Sequence, residues 1–169
     1  MYRHIPAGYD AGMRTIRAIL SGLLLLPLAS IGFAPMGAPL AAELSGDIRV
    51  LDGDTIEIGG QRVQLFGIVA PKLESHCEVA GKTIPCGRVS RGALLDLTAG
   101  AKVVCNVSAA AGTATDPVAR CQAGGYDLSE GMTYTGWARA DLKSSDYYLR
   151  FEEDARHQHR GLWRVEKTQ

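Results

Sequence analysis

The chain has 169 residues, 46% of them apolar and 21% charged, with 18 Lys and Arg against 18 Asp and Glu. This is the composition of one globular domain with a real core, and it excludes a disordered chain, a collagen-like repeat and a coiled coil. The charge balance also weighs against a strong nucleic-acid binder, because neutralising phosphates takes a surplus of Lys and Arg.

The N-terminal segment reads differently from the rest. Arg14 and Arg17 precede an apolar run from Ala18 to Phe33 that is broken by Pro27 and followed by small residues including Ala41 and Ala42. This is the pattern of a secretory signal peptide, and the run is shorter than the ~20 residues needed to span a bilayer. Residues 1–42 are expected to be a signal peptide with an N-terminal extension, cut near Ala42, and residues 43–169 the domain; an uncleaved N-terminal anchor is the alternative. Processing there removes Arg3, Arg14, Arg17 and Asp10, leaving 15 basic and 17 acidic residues, a net charge of −2. The expected location is periplasmic or secreted, with no transmembrane span in the mature part.

Beyond Gly46 the pattern is that of strands. Asp47–Leu51, Thr55–Ile58 and Arg62–Phe66 alternate apolar and polar residues around turns at Asp52-Gly53 and Gly59-Gly60, a three-strand meander. Gly67–Pro85 has the Gly, Pro and Ser content of a loop. Val89, Ala93, Leu94 and Leu97 fall at helical spacing between Gly87 and Gly100. Lys102–Val107 and Pro117–Cys121 read as a fourth and a fifth strand, with a small-residue loop from Ser108 to Thr115 between them. Asp127 can cap a helix over Leu128–Thr135, and a last amphipathic helix spans Tyr147–His159. The fold class is mainly β with helices (α+β), a five-stranded Greek-key barrel of the oligonucleotide/oligosaccharide-binding (OB) class with about three helices.

Cys77, Cys86, Cys105 and Cys121 are even in number, and in an exported chain two disulfides are the natural reading. Cys77–Cys86 would close one loop, and Cys105–Cys121 would join two neighbouring strands. A four-thiolate zinc site is the competing reading, but the nearest cysteines are nine positions apart rather than in Cys-x2-Cys pairs.

Seven short motifs in register resemble the staphylococcal nuclease (thermonuclease) family. They are Asp52-Gly53-Asp54-Thr55-Ile56, Leu65-Phe66-Gly67-Ile68-Val69-Ala70-Pro71, Cys86-Gly87, Val118-Ala119-Arg120-Cys121, Gly124-Gly125-Tyr126-Asp127-Leu128, Gly136-Trp137-Ala138 and Gly161-Leu162-Trp163. The resemblance implies a nuclease-like OB barrel. It also implies a calcium ion held by carboxylates, a glutamate base and two phosphate-holding arginines, which are the residue types that phosphodiester hydrolysis needs. Asp54 stands at the first metal carboxylate and is its sole expected remnant. Gln64 stands where an arginine is expected, Val69 at the second metal carboxylate, Lys72 at the base and Asp116 at the second arginine. No catalytic residue is therefore expected, and no cofactor, calcium belonging only to the alternative below.

Arg62 and Arg120 are candidate replacement phosphate contacts, although ordinary strand-face arginines on a barrel rim suit them as well. His157 and His159, with Glu153 and Asp154, read as a solvated helix face, and Trp137 and Trp163 as core. The expected function is an exported nuclease-like protein that has lost hydrolysis and acts as a binding or interaction module for an unknown protein or ligand. The alternative is a weak or altered calcium-dependent nuclease acting on DNA or RNA.

Overall fold

The computed structural model describes residues 42–164, so the expected signal segment before Ala42 lies outside the described residues. The described residues begin as a long extended segment made of β1 (Glu43–Gly46) and β2 (Ile48–Asp52), interrupted only at Asp47. Tight turns then lead into β3 (Thr55–Ile58) and β4 (Gln61–Leu65), and Gly59 and Gly60 both take positive φ, as the turn between these two strands requires. Helix α1 (Cys86–Thr98) crosses to β8 (Val103–Gly112), which pairs antiparallel with β9 (Pro117–Ala123).

The main sheet runs β1-β8-β9-β4-β3-β2, with β4 and β9 parallel and the other pairs antiparallel. Its two outer strands, β1 and β2, are not hydrogen-bonded to each other but are halves of one continuous segment. Counting that segment once leaves five strands around a common core, with a helix between the third and the fourth; the sheet does not close into the expected barrel, but its order is consistent with an OB-like fold. Val50, Ile56, Val63, Leu65, Val103, Ala119 and Cys121 alternate inward along these strands and form the core, each exposed by 2% or less. At ~25 cal/mol per Å² of apolar area, burying each Val, Leu or Ile contributes about 1.5–3 kcal/mol.

The helices close one side. α1 packs on β2 and on α2 (Leu128–Tyr134), and α2 packs in turn on β9 and on α3 (Leu149–His157). Asp127 caps α2, its carboxylate accepting the Glu130 N–H at 3.1 Å. The short strand β10 (Tyr126–Asp127) leads into α2 and pairs with β9, and a 3-10 turn over Gly161–Trp163 ends the described chain. Trp137 and Tyr148 are buried, Trp163 half-buried and Tyr147 exposed.

Three sequence expectations need correction. The loop over Gly67–Pro85 contains β5 (Ile68–Val69), paired with β11 (Arg139–Ala140), and a hairpin of β6 (Cys77–Val79) and β7 (Lys82–Ile84). Ladders this short carry no hydrophobic periodicity of their own. The small-residue stretch from Ser108 continues β8 as far as Gly112, which pairs with Pro117 of β9 after a register shift beyond Val107. The last helix starts at Leu149 and ends at His157, shorter at both ends than its amphipathic pattern.

Cys77 is joined to Cys86, and Cys105 to Cys121 across directly opposite positions of β8 and β9 with Cα atoms 4.0 Å apart. The first bridge ties the β6–β7 hairpin to the start of α1. Two disulfides fit an oxidising compartment. Among the described residues no helix is long and apolar enough to cross a membrane.

Candidate functional site

Asp52-Gly53-Asp54-Thr55 forms the turn between β2 and β3. Gly53 is required there, because a Cβ would lie 1.9 Å from Ser90 Oγ and 2.8 Å from Ala70 Cβ. Ser90 is fixed on α1 by its own bond to the Trp137 carbonyl, at 2.8 Å. The helix therefore presses the turn inward, and the Asp54 side chain is fully buried.

A buried carboxylate needs donors, and Asp54 has three. Oδ2 accepts the Ala70 N–H at 2.8 Å; Oδ1 accepts the Thr55 hydroxyl at 2.8 Å and the Lys72 ammonium at 3.3 Å. The same ammonium lies 3.8 Å from Asp52 Oδ2. Burial pushes the Asp54 carboxyl upward, but the hydrogen bonds from Asp52, Ala70 and Thr55 and the Lys72 charge outweigh it, and Asp54 titrates below the usual carboxylate range. Asp52 moves the other way, raised by burial, by its shared hydrogen bond with Asp54 and by the charge of Asp54. Asp52 thus stands beside Asp54 as a second carboxylate. The Asp-Gly-Asp motif already displayed that second carboxylate, two positions away.

Gln64, Lys72 and Asp116 converge, with Arg62 and Thr55, on one cleft of about 370 Å³. Each cation in it has a carboxylate partner: Arg62 Nε pairs with Asp116 Oδ1 at 3.2 Å, and Lys72 with Asp54 and Asp52. The Arg62–Asp116 pair follows from topology. In the parallel ladder Gln64 stands opposite Val118, so two residues earlier on each strand Arg62 comes level with Asp116. Val69 is exposed and lines a neighbouring cavity with Pro71, Val79 and Arg139.

The residues present do not fit a calcium ion. Calcium takes six to eight oxygen ligands, whereas here an ammonium sits against both carboxylates and the oxygens of Asp54 are taken up by protein donors. Among the described residues there is no group of three or more His, Cys, Asp or Glu that could hold a metal.

No protein-family model matches the chain. It is 30% identical over 160 residues to the succinoglycan biosynthesis protein ExoI of Rhizobium meliloti (strain 1021), a match covering 93% of this chain and 79% of that protein. The chain belongs to the ExoI family. A match of that extent takes in most of the segment before Glu43 as well as the domain.

In this member of the ExoI family Arg120 does not reach the cleft. Its guanidinium lies 4.3 Å over the Phe66 ring and donates to the Tyr148 hydroxyl at 3.1 Å, which in turn donates to Asp127 at 3.0 Å. Arg120 thus links Phe66 to the N-terminal ends of α2 and α3. Burial, with the charge and hydrogen bond of Asp127, pushes the Tyr148 hydroxyl up to about 12, so it stays a neutral donor. Arg62 does face the cleft, as an exposed residue held by Asp116. His157 and His159 are exposed at the end of α3, as a solvated face would be.

Proposed function

We propose that this protein is an exported member of the staphylococcal nuclease superfamily in which phosphodiester hydrolysis has been lost, and that it serves glycan biosynthesis as a binding module. The carrying observation is the Lys72 ammonium, seated 3.3 Å from the buried Asp54 and 3.8 Å from Asp52. It supplies from within the chain the positive charge that a metal ion would bring, and it stands at the position that the resemblance assigns to the base. Removing one transition-state donor costs about 3 kcal/mol and losing the base a further 10²–10⁴ in rate. With Gln64 and Asp116 at the arginine positions, these losses fall together on a single catalytic unit.

The glycan part draws on the name of the relative, which is a succinoglycan biosynthesis protein. Export is supported by the signal-like N-terminal segment and the two disulfides. The test is incubation of purified, oxidised protein with single-stranded DNA and RNA, in calcium and in chelator. No cleavage above background in either is expected; robust calcium-dependent cleavage would overturn the proposal.

A further inference from the structure

A second cleft, of about 650 Å³, lies between α2 and α3 on the helical side. Tyr126, Glu130 and Tyr134 recur every fourth residue through β10 and α2, and Arg150 and Asp154 do the same on α3 beside Phe151, so two stripes of side chains face each other. Tyr126 and Tyr134 are 44% and 43% exposed, unusual for two large rings sharing one hollow.

Both rings are fixed. Tyr126 rests on Gly131, where a Cβ would come 2.9 Å from its ring. Tyr134 carries the Arg160 guanidinium 3.9 Å from its ring centroid, and Arg160 is itself bonded to the Tyr134 carbonyl at 2.8 Å and to Asp154 at 2.9 Å. Among the described residues the Glu130 carboxylate has no ion pair or hydrogen bond, while Arg150 leans on Phe151 at 4.5 Å and spends one donor on the Tyr147 hydroxyl at 3.3 Å, leaving its other N–H groups for a ligand. Rigid half-exposed rings, an unengaged carboxylate, a guanidinium and phenolic hydroxyls make up the equipment for a ligand with apolar C–H faces and a rim of hydroxyls. An apolar helix laid here would bury Glu130 and Arg150, and a polyphosphate chain would meet Glu130 and Asp154.

We infer that the cleft between α2 and α3 is a binding site for a neutral saccharide chain, with Tyr126 and Tyr134 stacking on sugar rings and Glu130 and Arg150 bonding their hydroxyls. This gives the proposed binding role a place and a ligand class, and it rests on that role but not on the state of the remodelled nuclease cleft.

The test is titration of the isotopically labelled, oxidised protein with neutral gluco- and galacto-oligosaccharides, tetrasaccharides and longer. Saturable NMR shifts centred on Tyr126, Glu130, Tyr134 and Phe151 are expected. Tyr134→Ala should weaken binding about tenfold, while Tyr134→Phe, which keeps the ring, should bind within about twofold of the natural protein. No saturable shift with any sugar, shifts centred on Gln64 and Asp116, or stronger shifts of the same residues by single-stranded oligonucleotides would each overturn the inference. Nuclease activity in the assay above would overturn the proposed loss of hydrolysis and leave this cleft's binding untouched.

Discussion

Replacing Lys72 by glutamate tests directly whether its ammonium acts as a built-in cation. At 3.3 Å two unit charges interact by ~5 kcal/mol at an effective dielectric of ~20 and by ~1.3 kcal/mol at ~80. The Lys72 side chain is 64% exposed, so the lower figure is the better guide, and exposed pairs measure about 0.2–1 kcal/mol. Lys72→Glu removes that attraction and adds a repulsion of similar size from Asp54, with a further share from Asp52 at 3.8 Å. The expected loss of stability at neutral pH and low salt is about 1–3 kcal/mol, read as a lowered urea midpoint at unchanged slope. The variant also brings a third carboxylate to the pair, so millimolar calcium should restore much of the loss; a ligand at a hundred times its Kd returns ~2.7 kcal/mol. The natural protein should unfold at the same midpoint in calcium and in chelator. A calcium-dependent rise in the natural protein, or a variant as stable as the natural protein without calcium, would refute the reasoning.

Other expectations follow from the same contacts. Gly87→Ala should cost more than 2 kcal/mol or prevent folding, because its Cβ would sit 1.9 Å from the Lys72 carbonyl oxygen; Gly92→Ala, which meets open space on α1, should stabilise by about 0.5–1 kcal/mol, both read by thermal melts. Opening Cys105–Cys121, which spans 16 positions, should cost about 3 kcal/mol, and opening Cys77–Cys86, which spans 9, about 2.5 kcal/mol, measured by urea unfolding of the double-alanine variants. The depressed Asp54 pKa contributes stability that is complete above the unfolded carboxylate pKa and is lost as pH falls through the folded value. Asp54→Asn should therefore be less stable at neutral pH and show a flatter acid limb in stability-versus-pH curves. Tyr148, raised from 10.0 to about 12, contributes stability that is present below pH 10 and lost as pH rises through its folded value, so Tyr148→Phe should flatten the alkaline limb between those pH values.

The strands of the main sheet, α1 and α2 were legible in the sequence, because hydrophobic period, turn glycines and caps are local signals. Asp127 capping α2 and the alternation through Val63 and Leu65 needed no partner to be recognised. The disulfide pairing could be chosen because strand assignment already placed Cys105 and Cys121 on neighbouring segments. What the chain could not display was how its charges meet. Arg62 and Asp116 lie far apart in sequence and become partners through the parallel ladder, and Lys72 becomes the partner of Asp54 only when the loop after β5 folds over the turn between β2 and β3. Arg120 stands inside a motif, but its contacts with Phe66 and Tyr148 are not visible in the sequence. The cleft between α2 and α3 was not legible, since Tyr126 in its motif and Phe151 in its helix are far apart in sequence until the two segments face each other. The sequence alone decided the main strands, α1 and α2, because these depend on local residue type and order. Only tertiary structure decided which charges neutralise one another and which rings remain half-exposed, because electrostatic pairing and burial depend on distances between segments that local pattern does not encode.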